Sequence, residues 1–180
     1  MRLTATFIAQ SLVFIDESSA KTNMTRLYGW ATEGERAFDS APHGHWMAHT
    51  MIASMRLDGT TASMCINSAT DGDVFETYVS TTLAPTLRLG DIVILDNLSA
   101  HKRARAAEII HACGARIMFL PPYSPDLNPI EKMWSKIKSI LRSLKPRTLE
   151  ELYHAITCAF SQITPEDTHS FFESCGYVFI

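Results

Sequence analysis

Three acidic residues of this chain stand where an apolar segment ends or a helix begins, positions that suit a carboxylate with a chemical task. Asp16 closes the run Leu12-Val-Phe-Ile15, Asp96 closes Ile92-Val-Ile-Leu95, and Glu131 lies three residues after Asn128 at the head of a long amphipathic segment. Carboxylates that share a site repel one another, and the arrangement is costly unless cations neutralise it. Hard oxygen ligands without cysteine favour Mg²⁺ or Mn²⁺. Two such ions about 3.5–4 Å apart clamp the attacking and leaving oxygens of an in-line phosphoryl displacement. Each acid also has an ordinary reading. Asp16 marks the exit of a strand, Asp96-Asn97 suits a strand-to-helix turn, and Glu131 sits where a capping-box glutamate sits. The chemical reading therefore rests on the set of three, read as catalytic and metal-binding together.

The neighbours of these acids divide into supporting candidates and bystanders. Asn97 is a candidate to bond the loop that carries Asp96 or to position a water, and His101 to orient a carboxylate or touch a phosphate, against the alternative of a structural histidine. Lys102, Arg103, Arg105, Lys132, Lys136 and Lys138 are candidates for a DNA path, with solvated helix surface as the competing account. Glu17 follows Asp16 and would face the opposite side of a strand, so it is not read as a ligand. Tyr123 is a candidate to stack on a base, with packing against Pro121 and Pro122 as the simpler account. Trp134 belongs to an apolar stripe and reads as core.

The elements that would position these residues follow from periodicity. Residues 9–15 read as a buried strand running into Asp16, and Tyr28-Gly-Trp-Ala31 as the start of another. Residues 45–57 meet Asp58-Gly59, a hairpin turn signal, and 61–67 follow as the partner strand. Residues 73–83 carry apolar positions at helical spacing. Residues 92–95 form a short apolar strand of the kind found at a sheet centre. Ser99 is the expected cap of a helix from Ala100 to about Cys113, closed by Gly114, and 116–120 are another strand. Asn128 as N-cap, Pro129 as first helical residue and Glu131 as capping-box partner predict a helix from Asn128 to Pro146, with Ile130, Met133, Trp134, Ile137, Ile140, Leu141 and Leu144 as its apolar stripe. Thr148 and Thr164 each open a further helix. The expected fold is α/β and ribonuclease H-like: a mixed five-stranded sheet, three antiparallel strands then two parallel, flanked by helices.

The chain has 180 residues, 46% of them hydrophobic and 19% charged, which is the composition of one globular domain and excludes general disorder. No apolar run approaches the roughly 20 residues of a membrane span, and no signal peptide is evident, so the expectation is a cytoplasmic protein without membrane contact. Its four cysteines lack zinc or redox spacing and read as reduced thiols. The net charge of −3 is unevenly spread: −4 over residues 1–95, +6 over 96–147 and −5 over 148–180. A basic middle between acidic ends suggests one face that meets phosphate.

Two segments carry a family resemblance. Ile94-Leu-Asp-Asn-Leu-Ser-Ala-His-Lys102 and Phe119-Leu-Pro-Pro-Tyr-Ser-Pro-Asp-Leu-Asn-Pro-Ile-Glu131 resemble the catalytic domain of DDE transposases, in the class of bacterial insertion sequences related to mariner/Tc elements. The 34 residues between Asp96 and Glu131 match that class, as do Phe14-Ile-Asp-Glu-Ser18, Leu27-Tyr-Gly-Trp30 and Gly44-His-Trp46. The resemblance implies that residues 1–180 are a single catalytic domain with Asp16, Asp96 and Glu131 as the metal triad. It implies two Mg²⁺ or Mn²⁺ ions, cleavage at transposon ends followed by strand transfer into target DNA, and a homodimer on DNA. The helix-turn-helix DNA-binding module usual in the class is expected on a separate or upstream segment, and Met47 stands where a basic residue is usual. A plain ribonuclease H-like nuclease, or a non-catalytic remnant that binds DNA or a partner, are the alternatives.

Overall fold

The computed structural model describes residues 9–26, 28–40, 42–44, 46–122 and 124–177. Leu27, His45 and Tyr123, which the sequence reading invoked, lie outside the described residues. Five strands form one sheet in the order β3-β2-β1-β4-β5. They are β1 (Leu12–Lys21), β2 (Ala48–Arg56), β3 (Thr61–Ile66), β4 (Ile92–Leu95) and β5 (Arg116–Phe119). β1 pairs antiparallel with β2, and β2 with β3, while β1–β4 and β4–β5 are parallel. This is the mixed sheet that the ribonuclease H-like reading requires.

Strand alternation builds two cores. Leu12, Phe14, Ile92 and Ile94 face one side, covered by α3 (Ile130–Leu144), α4 (Leu149–Ser161) and α5 (Pro165–Ser174). Val13, Ile15, Val93 and Leu95 face the other, covered by α1 (Gly72–Tyr78) and α2 (Ala104–Ala112). β4 is buried along its whole length, as its unbroken apolar sequence demands. The α3 stripe packs as expected through Ile130, Met133, Trp134, Ile137 and Leu141, with Leu144 half exposed at the frayed end.

Three local expectations need correction. Residues 28–31 form no strand, and the side chains of Tyr28 and Trp30 stand in solvent; with no apolar alternation around them, these aromatic residues have no face to bury. Ser99 does not cap a continuous helix. Ser99–Lys102 is a single 3₁₀ turn, Arg103 is extended, and α2 starts at Ala104 with no side-chain cap. The chain breaks there because His101 is drawn into the protein. Asn128 does not cap α3 either. Pro129 holds that position, no side-chain cap bond forms, and Asn128 Oδ1 is buried without a partner. The capping boxes at Thr148–Glu151 and Thr164–Asp167 are both formed.

The sheet is pinned at the end opposite the acids. Arg56, at the end of β2, reaches Asp91 before β4. Its Nη1 donates to Asp91 Oδ1 at 2.9 Å and its Nη2 bonds Asp91 Oδ2 and the Thr86 carbonyl, with both side chains almost wholly buried. Asp91 Oδ2 also accepts the Arg88 amide at 2.6 Å. Breaking such a pair from one side leaves a buried charge. Arg56→Ala is therefore expected to lower stability by about 3–5 kcal/mol, read as a fall in urea midpoint at unchanged slope.

Candidate active site

Parallel pairing of β1 with β4 sets Leu12 beside Ile92 and Phe14 beside Ile94. β4 stops at Leu95, whereas β1 runs on to Lys21. Extending the register by one pleat brings Asp16 beside Asp96, on the face that α3 covers. Glu131, in the first turn of α3, stands on that face as well. Glu17 projects to the opposite face by strand alternation, as the sequence reading had it.

The electrostatics record this crowding. The Asp16 carboxyl is raised to about 7, first by burial, then by the charges of Glu131, Glu17 and Asp96, against the lowering effect of the Glu17 amide. Asp16 Oδ2 accepts a hydrogen bond from Trp134 Nε1 at 3.2 Å. Trp134 is core, as expected, with 2% exposure, but its indole N–H also ties α3 to the first acid. A buried indole needs an acceptor, and the nearest strand residue on its face is Asp16, so the bond was accessible to sequence reasoning only once strand and helix were docked.

Asp96 is held differently. Its Oδ1 accepts the Leu98 amide at 3.0 Å and lies 2.7 Å from His101 Nδ1, a close but poorly aligned contact. His101 Nε2 is 2.9 Å from Glu17 Oε1. The imidazole is fully buried between the two carboxylates and rests against the Phe75 ring, 4.5 Å between centroids. Burial alone would lower the basicity of His101, but the bonds to Asp96 and Glu17 outweigh it and raise the imidazole to about 9. Burial likewise opposes charge on Asp96, and the bonds from His101 and Leu98 overcome it, holding Asp96 below the usual carboxylate range.

Asn97 turns away from the acids. Its Nδ2 donates to the Leu120 carbonyl at 2.8 Å, tying the end of β4 to the end of β5. Glu131 is exposed and makes no capping bond, since Pro129 rather than Asn128 is the N-cap. Among the described residues no group of three His, Cys, Asp or Glu side chains is gathered closely enough to hold a metal ion. The donor chemistry nevertheless fits a hard dication: Asp96 Oδ2 and both Glu131 oxygens carry no hydrogen bond among the described residues, and the raised Asp16 marks a place where positive charge is favoured.

The basic candidates separate by partner. Arg103 bonds Asp73 at 2.8 Å, Arg105 bonds Glu108 at 3.2 Å, and Lys136 pairs with Asp167 in the α5 capping box. Lys102 lies over the Phe119 ring, 5.9 Å from its centroid. Lys132 and Lys138 project from α3 without an ion pair among the described residues.

A model of the family described as DDE superfamily endonuclease matches residues 11–153. No curated protein matches the chain. Solved structures do. A Mos1 transposase paired-end complex with the left transposon end gives a TM-score of 0.74 at 15% identity, over 94% of this chain and 53% of that one. A Mos1 mariner paired-end complex with Mn gives 0.73 at 15%, over 92% and 52%. The Mos1 catalytic domain with raltegravir and Mg gives 0.62 at 11%, over 93% and 79%. At these identities the likeness is one of fold, and the chain spans about half the length of the first two. No helix among the described residues is long and apolar enough to cross a membrane.

Trp134→Phe keeps the ring in the core and removes only the N–H on Asp16. It is expected to cost about 1 kcal/mol of stability, the scale of one hydrogen bond, while lowering the rate of oligonucleotide cleavage at least tenfold. Thermal unfolding and an oligonucleotide cleavage assay on the same preparations check both. On DNA, Lys132→Ala or Lys138→Ala should reduce the slope of log affinity against log salt by about 1, whereas Lys136→Ala should act mainly on stability. A salt titration beside a melting curve separates the two behaviours.

Proposed function

Because the chain belongs to the DDE superfamily endonuclease family, we propose that it is a DNA transposase catalytic domain that cleaves DNA strands at transposon ends and transfers them into target DNA. The observation that carries the reading is the charge environment of Asp16, whose carboxyl is raised by burial and by Glu131, Glu17 and Asp96 at the end of the sheet where β4 stops. Asp16, Asp96 and Glu131 would hold the divalent cations, Mg²⁺ or Mn²⁺, that the Mos1 structures with Mg and with Mn suggest. When bound, such ions supply charge stabilisation to the transferring phosphoryl group and activate the attacking oxygen.

The chain's own residues do the rest. β1 and β4 present Asp16 and Asp96 from rigid strands, and α3 brings Glu131 from its first turn. Trp134 and His101 hold the two aspartates in place. The exposed Lys102 and Lys132 and the half-buried Lys138 are placed to meet phosphate, contacts that position a duplex without reading its sequence. Base reading falls to a helix-turn-helix module on another segment, and two copies act together on paired DNA ends. A nuclear or membrane setting is not required by any feature, and the proposed location is the cytoplasm, on the nucleoid.

Strand transfer is the step that separates a transposase from a plain nuclease or a binding remnant. The whole chain with Mn²⁺ or Mg²⁺ and an oligonucleotide carrying a transposon end should give both cleaved and joined products. Cleavage without joining would favour the nuclease, and neither product the remnant. Glu131→Gln should abolish both products and leave stability within about 0.5 kcal/mol, since Glu131 is exposed and caps nothing. A Glu131→Gln protein that still cleaves would remove Glu131 from the site.

A further inference from the structure

Resting on the site proposed above, we propose that His101 is a positioning residue: suspended from Glu17, it engages Asp96 Oδ1 so that a single oxygen, Oδ2, remains to meet a divalent cation. Three observations converge on this. The His101 side chain has no solvent exposure, although it belongs to a short 3₁₀ turn on a surface connection. Its two nitrogens face carboxylates from different elements, Glu17 at 2.9 Å and Asp96 at 2.7 Å. Finally, Asp96 Oδ1 already carries the Leu98 amide at 3.0 Å, so that bond and the close His101 contact fall on one oxygen, and the other has no hydrogen bond among the described residues.

The topology explains why a histidine is needed. Asp16 and Asp96 lie on the face covered by α3, whereas Glu17 lies on the face covered by α1 and α2. No β4 backbone separates the faces beyond Leu95, and the imidazole fills that gap with Phe75 behind it. With one nitrogen facing each carboxylate, the ring spans from one face to the other. Glu17 is thus the hanger for the ring rather than a ligand. Its position directly after Asp16 couples the two aspartates: any shift of β1 that moves Asp16 also moves the support of Asp96. Groups that orient a ligand in this way typically change metal affinity or activity 10–100-fold when removed.

The test compares variants that differ in hydrogen bonding at equal charge. His101→Asn retains an N–H donor near the position of Nδ1, and His101→Leu retains the volume and no donor. Both lack the imidazole charge. Direct Mn²⁺ titration of the whole chain, followed by electron paramagnetic resonance of free Mn²⁺, should show His101→Asn binding roughly tenfold more tightly than His101→Leu, at matching melting temperatures. Equal affinity in the two would overturn the proposal. Glu17→Gln keeps an acceptor for Nε2 and should weaken Mn²⁺ binding less than Glu17→Ala. If Glu17→Gln is as damaging as Asp96→Asn, Glu17 is itself a ligand and the hanger role is wrong. Should His101→Leu unfold the chain, the Glu17 pair decides alone. Asp96→Asn tests the underlying site: if it still binds Mn²⁺ like the unsubstituted chain, the metal site has been misassigned, an outcome distinct from failure of the relay.

Discussion

Mutual repulsion among carboxylates is the constraint that organises this molecule. Asp16 and Asp96 lie at one end of the sheet, with Glu131 entering from a helix, and burial first, then the charges of Glu131, Glu17 and Asp96, raise the cost of charging Asp16. Such a cluster has no intrinsic reason to stay assembled. It is held because the acids are attached to elements whose apolar faces have nowhere else to go. Phe14 and Ile94 on one side, Val13 and Val93 on the other, fix β1 against β4 in a single register. A slip by one residue would exchange the two faces of β1 and expose both cores at once. The register that satisfies the hydrophobic layers is therefore the register that forces Asp16 toward Asp96.

Polar contacts then refine what packing imposes. The Trp134 indole donates its one N–H to Asp16, and His101 bonds Glu17 through Nε2 while its Nδ1 lies against Asp96 Oδ1. Neither residue is exposed, so neither interaction competes with bulk water. At the far end of the sheet, Arg56 and Asp91 form a pair of the opposite kind, complete within itself. The contrast is instructive. The pinned end has its charges matched by internal partners, while at the end with the acids Asp96 Oδ2 and the Glu131 carboxylate have no hydrogen-bond partner among the described residues. An excess of acceptors at a protein surface, maintained against repulsion, is what a cation-binding site requires of a fold.

Much of the fold was legible because it is written in local patterns. The unbroken Ile92–Leu95, the Asp58-Gly59 turn and the stripe on α3 each follow from periodicity or turn chemistry, and each is found. The failures share a cause. Ser99, Asn128 and Tyr28-Gly-Trp-Ala31 were judged by local preference, and long-range demands overrode it. His101 is pulled inward to two acids, and the helix expected from Ala100 breaks at Arg103. Asn128 lies buried beneath the turn and leaves the cap to Pro129. Residues 28–31 have aromatic rings but no strand to pair with. In the candidate site, the placement of the three acids was legible, because they end or begin apolar segments. The roles of Trp134 and Glu17 were not, because both depend on which faces meet after docking.

The failed capping box bears on how the acids divide their work. Had Asn128 and Glu131 formed a reciprocal cap, the Glu131 carboxylate would have been occupied by the Asn128 amide and fixed in orientation. Instead it projects from the first turn of α3, where the positive end of the helix dipole favours its charge without tying either oxygen. Asp16 and Asp96 are the opposite case, each on or just beyond a buried strand and each gripped by a buried ring donor. Two carboxylates with local partners thus stand with a third that carries no hydrogen bond among the described residues. Under the proposed function, a phosphoryl transfer in two successive steps would accommodate different attacking and leaving groups at one centre, which suits a third carboxylate that carries no local hydrogen bond.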